Sequence, residues 1–147
     1  MVSVGTGVVN TVGVGEGLAD LSFYYEQVSQ EYPLDPQRVL LAGFSQGSGM
    51  AIHAALGGKF GARGFIGVGT FIAEPDSILP FVSQAQSVRG YFVSGGKDHT
   101  LDKARAIQNI LKENNIQFAE EVHPDLGHEF PADFGSSFDK AIQFILE

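Results

Sequence analysis

Four short segments of strand character alternate with segments of helical character, and this alternation limits the folds that the chain can adopt. The segments are RVLLAGF (38–44), which is continuously apolar, RGFIGVG (63–69), RGYFVSGG (89–96) and IQFAEEVHP (116–124). Strands that are apolar throughout have to be covered on both faces, as in a parallel sheet flanked by helices. The sequence therefore predicts an α/β fold, with a parallel sheet of about four to six strands and helices on both faces.

The segments between these strands carry helical patterns. Apolar residues at helical spacing predict a first helix that begins at Gly17 and ends before Pro33. Later helices are expected over 46–56, over 101–115 and from Phe134 to Ile145, and one or two helical turns are expected within 75–88. Residues 2–14 alternate Val with Gly, which predicts weak strands or a flexible lead-in. We accordingly divide the chain into a Val/Gly-rich segment, 1–16, and a single domain, 17–147.

Charge and composition exclude several classes of protein. A net charge of −8 with only nine basic residues argues against a nucleic-acid partner. The absence of cysteine excludes disulfides, thiolate metal sites and cysteine nucleophiles. No Lys or Arg precedes Arg38, and glycines interrupt the apolar N-terminal stretch, so neither a signal peptide nor a membrane span is expected. These features predict a cytoplasmic protein.

Ser45 lies where the strand VLLAGF meets the predicted helix QGSGMAIHAAL. A serine at such a turn, with Gly43 and Gly47 two residues to either side, is typical of a nucleophile elbow. Glycine is expected at both positions because side chains there would collide with the serine. A nucleophilic serine also needs a base that is held by an acid.

Asp98 and His128 follow the third and fourth predicted strands, in GGKDHT and DLGHEF. The carboxyl ends of parallel strands lie at one edge of the sheet, where active sites form. The order serine, acid, histidine is also the one that accompanies an elbow. Ser45, Asp98 and His128 are therefore the predicted nucleophile, acid and base.

The other histidines fit this role less well. His53 lies inside the helix that follows Ser45, His123 lies in the fourth strand, and His99 directly follows Asp98 and is expected to point away from the site. The pairs Asp98 with His99 and His123 with Asp125 lack a third ligand at suitable spacing, so no metal is predicted. GVGEG (13–17) is only part of a dinucleotide fingerprint, so no cofactor is predicted.

The motifs GFSQG, GGKD and GHEFP, and above all DPQRVLLAGFSQG, resemble those of α/β-hydrolases in the phospholipase/carboxylesterase and acyl-protein thioesterase group. The resemblance extends over about residues 17–147 and implies the same three catalytic residues. It also implies that the backbone N–H of Gln46 is one oxyanion donor. The family fold has further strands and an oxyanion loop before the first helix, so this chain resembles a truncated α/β-hydrolase fold, either a fragment, a short form, or one in which residues 1–16 replace those strands.

These observations predict a serine hydrolase that cleaves small-molecule carboxylic esters or thioesters through an acyl-enzyme. Phe71, Ile72 and Phe81 are candidates to line an acyl pocket, although the same stretch could instead cover the core. The chain has no HG dipeptide of the kind found in oxyanion loops, and without a second donor turnover would be about 100- to 1000-fold lower. Two alternatives remain: an impaired hydrolase-like domain that serves as a binding or assembly module, and a flavodoxin-like domain without enzymatic activity.

Without the family's preceding strands, VLLAGF would form an unpaired apolar edge of the sheet. Such edges recruit other strands. The sequence therefore predicts a homo-oligomer, or another partner for this edge, with residues 2–14 at or near the contact.

Overall fold

A computed structural model describes residues 13–147 and contains one sheet of four parallel strands in the order β1-β2-β3-β4. The strands are β1 (Leu40–Phe44), β2 (Gly64–Val68), β3 (Arg89–Gly95) and β4 (Phe118–His123). The helices are α1 (Gly13–Glu31), α2 (Gln46–Leu56), α3 (Leu79–Val82), α4 (Leu101–Glu113) and α5 (Phe134–Leu146), and a 3₁₀ turn, Pro75–Ile78, precedes α3. The predicted α/β fold with a parallel sheet is confirmed.

The order of the strands explains how the helices are distributed. When parallel strands follow one another in sequence order, right-handed crossovers place all the connecting helices on one face. α2, α3 and α4 accordingly pack on one core cluster, which contains Phe65 and Phe92 from the two central strands. α5 follows the last strand and packs on the opposite face, against Ile66 and Val93. The helices therefore cover both faces of the sheet, as predicted.

The alternation of side chains along each strand builds these two cores. Phe65 and Ile66 are consecutive in β2, and they enter opposite clusters because successive side chains of a strand point to opposite faces. Every residue of β2 is buried, and so is all of β3 except Arg89. This double burial is the reason that the central strands read as continuous apolar segments.

The boundaries agree with the sequence prediction except at α1. Each strand begins and ends within two residues of its predicted limits. α1, however, begins at Gly13 and not at Gly17. Glycine has a low intrinsic helix propensity, so a start among Gly13, Gly15 and Gly17 was not expected. Of the segment 2–14, for which weak strands or a lead-in were predicted, residues 2–12 lie outside the part of the chain that the structure describes. Residues 13 and 14 belong to α1.

β1 lies at one edge of the sheet. Within residues 13–147 its hydrogen-bonded neighbour is β2 alone, and its residues are half-buried or, at Ala42, exposed.

Across residues 13–147, we find no helix with both the length and the hydropathy needed to cross a bilayer.

Candidate active site

Ser45 occupies a strained turn between β1 and α2. Its backbone has φ 54° and ψ −120°, a conformation that residues with a Cβ seldom adopt. The turn brings Gly43 so close to Gly47 that a Cβ on Gly43 would overlap the Gly47 carbonyl and approach the Ser48 nitrogen. Only glycine fits at position 43, and the tight turn that results places the half-buried Ser45 beyond the end of β1.

The expectation for Gly47 was wrong. A Cβ at this position would meet nothing within 4 Å, so no collision requires glycine there. The close contact in the turn lies between the position that a Gly43 Cβ would take and the backbone of Gly47. The position that a Gly47 Cβ would take lies in open space.

A chain of hydrogen bonds joins Ser45 to His128 and Asp98. His128 Nε2 lies 2.9 Å from Ser45 Oγ, and His128 Nδ1 lies 2.9 Å and 3.0 Å from the two carboxylate oxygens of Asp98. The ionised carboxylate is an acceptor only, so Nδ1 carries the proton and Nε2 presents its lone pair to the serine hydroxyl. The fold thus brings together three residues that are distant in sequence, in the geometry of a nucleophile, a base and an acid.

Asp98 is held as a carboxylate by its hydrogen bonds. Its side chain is only 2% exposed, and Oδ1 accepts bonds from the Thr100 N–H at 2.7 Å and the Thr100 hydroxyl at 2.8 Å. Burial by itself raises the pKa of Asp98, but the donors on Thr100 and His128 outweigh it and bring the pKa below its ordinary value. Asp98 is therefore charged at neutral pH and stabilises positive charge on His128.

Two glycines let the loops that carry Asp98 and His128 touch each other. A Cβ on Gly95 would overlap the carbonyls of Leu126 and Gly127, and one on Gly96 would approach the backbone of Pro124. The Lys97 N–H also donates to the Leu126 carbonyl at 2.9 Å. The GGKD sequence thus fixes the position of one loop against the other.

Gly69 is a residue of the site that sequence reasoning missed. It follows β2 with φ 51°, and a Cβ there would lie 3.1 Å from both Asp98 Oδ2 and His128 Nδ1. The Asp98–His128 pair therefore packs directly against the backbone of Gly69, where a side chain would leave too little room. Only the position of a glycine at the end of a buried strand could have suggested this from the sequence.

The expected orientation of His99 was also wrong. Its side chain is exposed, but its ring lies edge-on to that of His128, with 4.7 Å between the ring centroids, and Nδ1 lies 3.6 Å from Asp98 Oδ1. The short turn between Asp98 and α4 leaves the two neighbouring side chains on the same side of the loop.

His53 and His123 make contacts away from Ser45: His53 with the Gly49 carbonyl and Ser77 Oγ, and His123 with Glu121.

The remaining predicted site residues lie close to the Ser45 turn or in the core. Gln46 is the first residue of α2, so its N–H has no carbonyl partner within the helix. The Phe71 N–H donates to the Ser45 carbonyl at 3.3 Å, which places the start of the 70–81 stretch beside the turn. Ile72 is buried in the core and Phe81 packs against it, as in the alternative that this stretch covers the core. A role in an acyl pocket stays a prediction.

One cluster among the described residues offers three side chains with metal-binding atoms. A donor atom of each of Asp98, His99 and His128 lies within 4.8 Å of the others. Of the two pairs considered from the sequence, Asp98 with His99 gains a third side chain, because the fold adds His128 from the next loop.

Comparison with known proteins identifies relatives of this fold. Residues 25–146 match the model of the phospholipase/carboxylesterase family, which is well over half of the chain. No curated protein matches the sequence significantly.

Solved structures share the architecture. An uncharacterized protein from Bacillus cereus ATCC 10987 has 26% identity and a TM-score of 0.79 over 90% of this chain and 43% of its own. SOBER1 from Arabidopsis thaliana has 19% identity and a TM-score of 0.75, covering 96% of this chain and 68% of its own. Acyl-protein thioesterase 2 from Zea mays has 15% identity and a TM-score of 0.72, covering 97% and 71%. The chain thus spans less than half the length of the Bacillus cereus protein.

Proposed function

The chain belongs to the phospholipase/carboxylesterase family, and from that premise we propose that it is a serine hydrolase that cleaves carboxylic esters or thioesters through an acyl-enzyme on Ser45. The observation that carries the proposal is the hydrogen-bonded chain from Ser45 Oγ through His128 to Asp98. Three polar residues aligned in this order, with the serine on a strained turn, have the arrangement that acyl transfer requires.

In the first half of the reaction, Ser45 Oγ attacks the carbonyl carbon while its proton passes to His128 Nε2. Asp98 keeps the Nδ1–H tautomer in place and stabilises the imidazolium that forms. His128 then returns the proton to the departing alcohol or thiol, which leaves the acyl group on Ser45. In the second half, water attacks the acyl-enzyme while its proton passes to His128, which then returns the proton to Ser45 Oγ as the bond to the acyl group breaks. The carboxylic acid product leaves and the free serine is restored.

The negative charge on the carbonyl oxygen needs donors at the start of α2. The free N–H of Gln46 is the donor that we assign, and the N-terminal end of the helix dipole adds to its effect. Where a second donor is lost, turnover typically falls about 100- to 1000-fold. Hydrolysis of small esters such as p-nitrophenyl acetate measures how far this donor supports turnover.

Labelling with a fluorophosphonate probe, followed by mass-spectrometric mapping, tests the proposal directly. The probe should modify Ser45, and Ser45→Ala should abolish both the label and ester hydrolysis. Ser48→Ala is the matched control: Ser48 lies one helical turn further on, where it is buried and its hydroxyl donates to the Ser45 carbonyl at 2.6 Å. A label on Ser48 would assign the nucleophile to that residue.

The base is tested by histidine variants. His128→Ala should remove nearly all hydrolysis, while His53→Ala and His123→Ala should leave most of it, since their rings make contacts elsewhere. A native protein that takes no label and hydrolyses no ester would favour the other candidate function, a binding or assembly module.

A further inference from the structure

His99 is the side chain beside the proposed catalytic residues to which the hydrolytic scheme gives no task. It is 75% exposed, and yet its Nδ1 lies 3.6 Å from Asp98 Oδ1 and its ring lies against that of His128. Two imidazoles and one carboxylate therefore converge at a point that solvent can reach.

These three groups are ligands that zinc prefers. Zinc binds imidazole nitrogens and carboxylate oxygens at about 2.0–2.2 Å, and tetrahedral geometry then places the ligand atoms about 3.3 Å apart. The observed separations are close to this value: 2.9 Å and 3.0 Å from His128 Nδ1 to Asp98, and 3.6 Å from His99 Nδ1 to Asp98. The separations to Asp98 would need shifts of a few tenths of an ångström, and the donor atoms of all three residues lie within 4.8 Å of one another. Water would be the fourth ligand.

We propose that Asp98, His99 and His128 form an inhibitory site for Zn²⁺ or a similar transition-metal ion. The inhibition rests on the proposed function, because the metal acts by removing the base. If the ion binds His128 Nδ1, the ring proton moves to Nε2, which then cannot accept the proton of Ser45. His128 Nδ1 is the nitrogen that lies beside Asp98, whereas Nε2 lies 2.9 Å from Ser45 Oγ, so Nδ1 is the ligand atom that this cluster offers.

The nature of the ligands also sets the selectivity. Imidazole suits zinc, copper and nickel, whereas magnesium and calcium prefer sites made of oxygen atoms. We expect micromolar Zn²⁺ to inhibit hydrolysis and to protect Ser45 from the fluorophosphonate probe. Millimolar Mg²⁺ should do neither, and EDTA should reverse the effect of zinc.

The deciding experiment measures zinc binding and ester hydrolysis separately. Binding is measured by competition with a chromophoric chelator on the full chain, and hydrolysis of p-nitrophenyl acetate is titrated with zinc. His99→Ala should weaken zinc binding at least tenfold and abolish inhibition, while hydrolysis without metal stays unchanged. His123→Ala is the matched control, because His123 also contacts a carboxylate, Glu121, at 3.3 Å, but lies outside the cluster. It should bind zinc as the unaltered chain does.

The outcomes distinguish this inference from the proposed function. Zinc binding that His99→Ala leaves unchanged, or hydrolysis that zinc does not inhibit in the unaltered chain, would overturn the inhibitory site. A chain that binds zinc through His99 but neither hydrolyses esters nor takes the probe would overturn the proposed function and, with it, the inhibition.

Discussion

Gly69 supports the Asp98–His128 pair through the absence of a side chain. Its α-carbon faces the carboxylate and the imidazole at a distance where a methyl group would be in tight contact with both, at 3.1 Å. The relative position of the acid and the base is thus set by a residue that takes no part in proton transfer.

Gly69→Ala should therefore lower kcat/KM about tenfold, because a displaced imidazole no longer accepts the Ser45 proton in line. Gly58→Ala is the matched control: Gly58 also has a positive φ, 72°, but a Cβ there meets nothing within 4 Å. Both variants bear a similar backbone cost of about 1 kcal/mol. Hydrolysis and urea unfolding are measured on both. Equal losses of activity in the two variants would show that backbone strain, and not the contact with the pair, is responsible.

The proposed catalytic residues could be derived from the sequence, whereas their supports could not. Ser45, Asp98 and His128 each follow a predicted strand, and parallel strands end at one edge of the sheet. The role of Gly69 depends on a contact among three separate loops, which no local pattern encodes. The orientation of His99 depends on the turn geometry after Asp98, which spacing along the chain does not specify.

At the scale of the elements, an ion pair joins α5 to the edge strand β4. Lys140 Nζ donates to Glu121 Oε1 at 3.1 Å. Partial burial of Glu121 acts to raise its pKa, but the hydrogen bond and the charge of Lys140 outweigh this, and the pKa lies below its ordinary value of 4.5. The bond to Glu121 likewise raises the pKa of Lys140.

A carboxyl whose pKa is lowered by folding stabilises the fold above its unfolded pKa, and that stability is lost as the pH falls through the folded pKa. Lys140→Met should therefore lower the urea midpoint slightly at pH 7, and the difference from the unaltered chain should shrink as the pH falls below 4.5 and through the folded pKa of Glu121. Lys140→Arg keeps the charge and should behave as the unaltered chain does. A Lys140→Met difference that does not diminish as the pH falls through this range would mean that packing of the lysine stem, and not its charge, is what matters.

The elements were more predictable than their order. The sequence located all four strands to within two residues, and the two central ones, β2 and β3, were recognisable because they are buried on both faces. The order β1-β2-β3-β4 is a tertiary property that no single segment encodes. The early start of α1 was missed because a glycine-rich first turn has low helix propensity, and propensity is the one local signal available there.

At the scale of the whole molecule, β1 has a hydrogen-bonded neighbour on one side only within residues 13–147, and from this open edge we predict association. Arg63 N donates to the Val39 carbonyl, and Ser45 N donates to the Val68 carbonyl, so the odd-numbered residues of this strand face β2. In a parallel pair the alternate residues point the other way. The N–H groups of Leu40, Ala42 and Phe44 therefore face the open edge in the part of the chain that the structure describes.

We expect full-length chains to associate along this edge, with residues 2–14 at or near the contact, because an apolar edge strand without charge or proline pairs readily with another strand. Light scattering measures the mass in solution, and hydrogen exchange measures the protection of the three outward amides. Ala42→Lys places a charge on the exposed face of the edge strand and should shift the population towards single chains. Deleting residues 1–12, which leaves α1 whole, should change the assembly or its solubility. A full-length chain that remains monomeric at high concentration, exchanges its outward amides rapidly and is unaffected by the deletion would contradict this prediction.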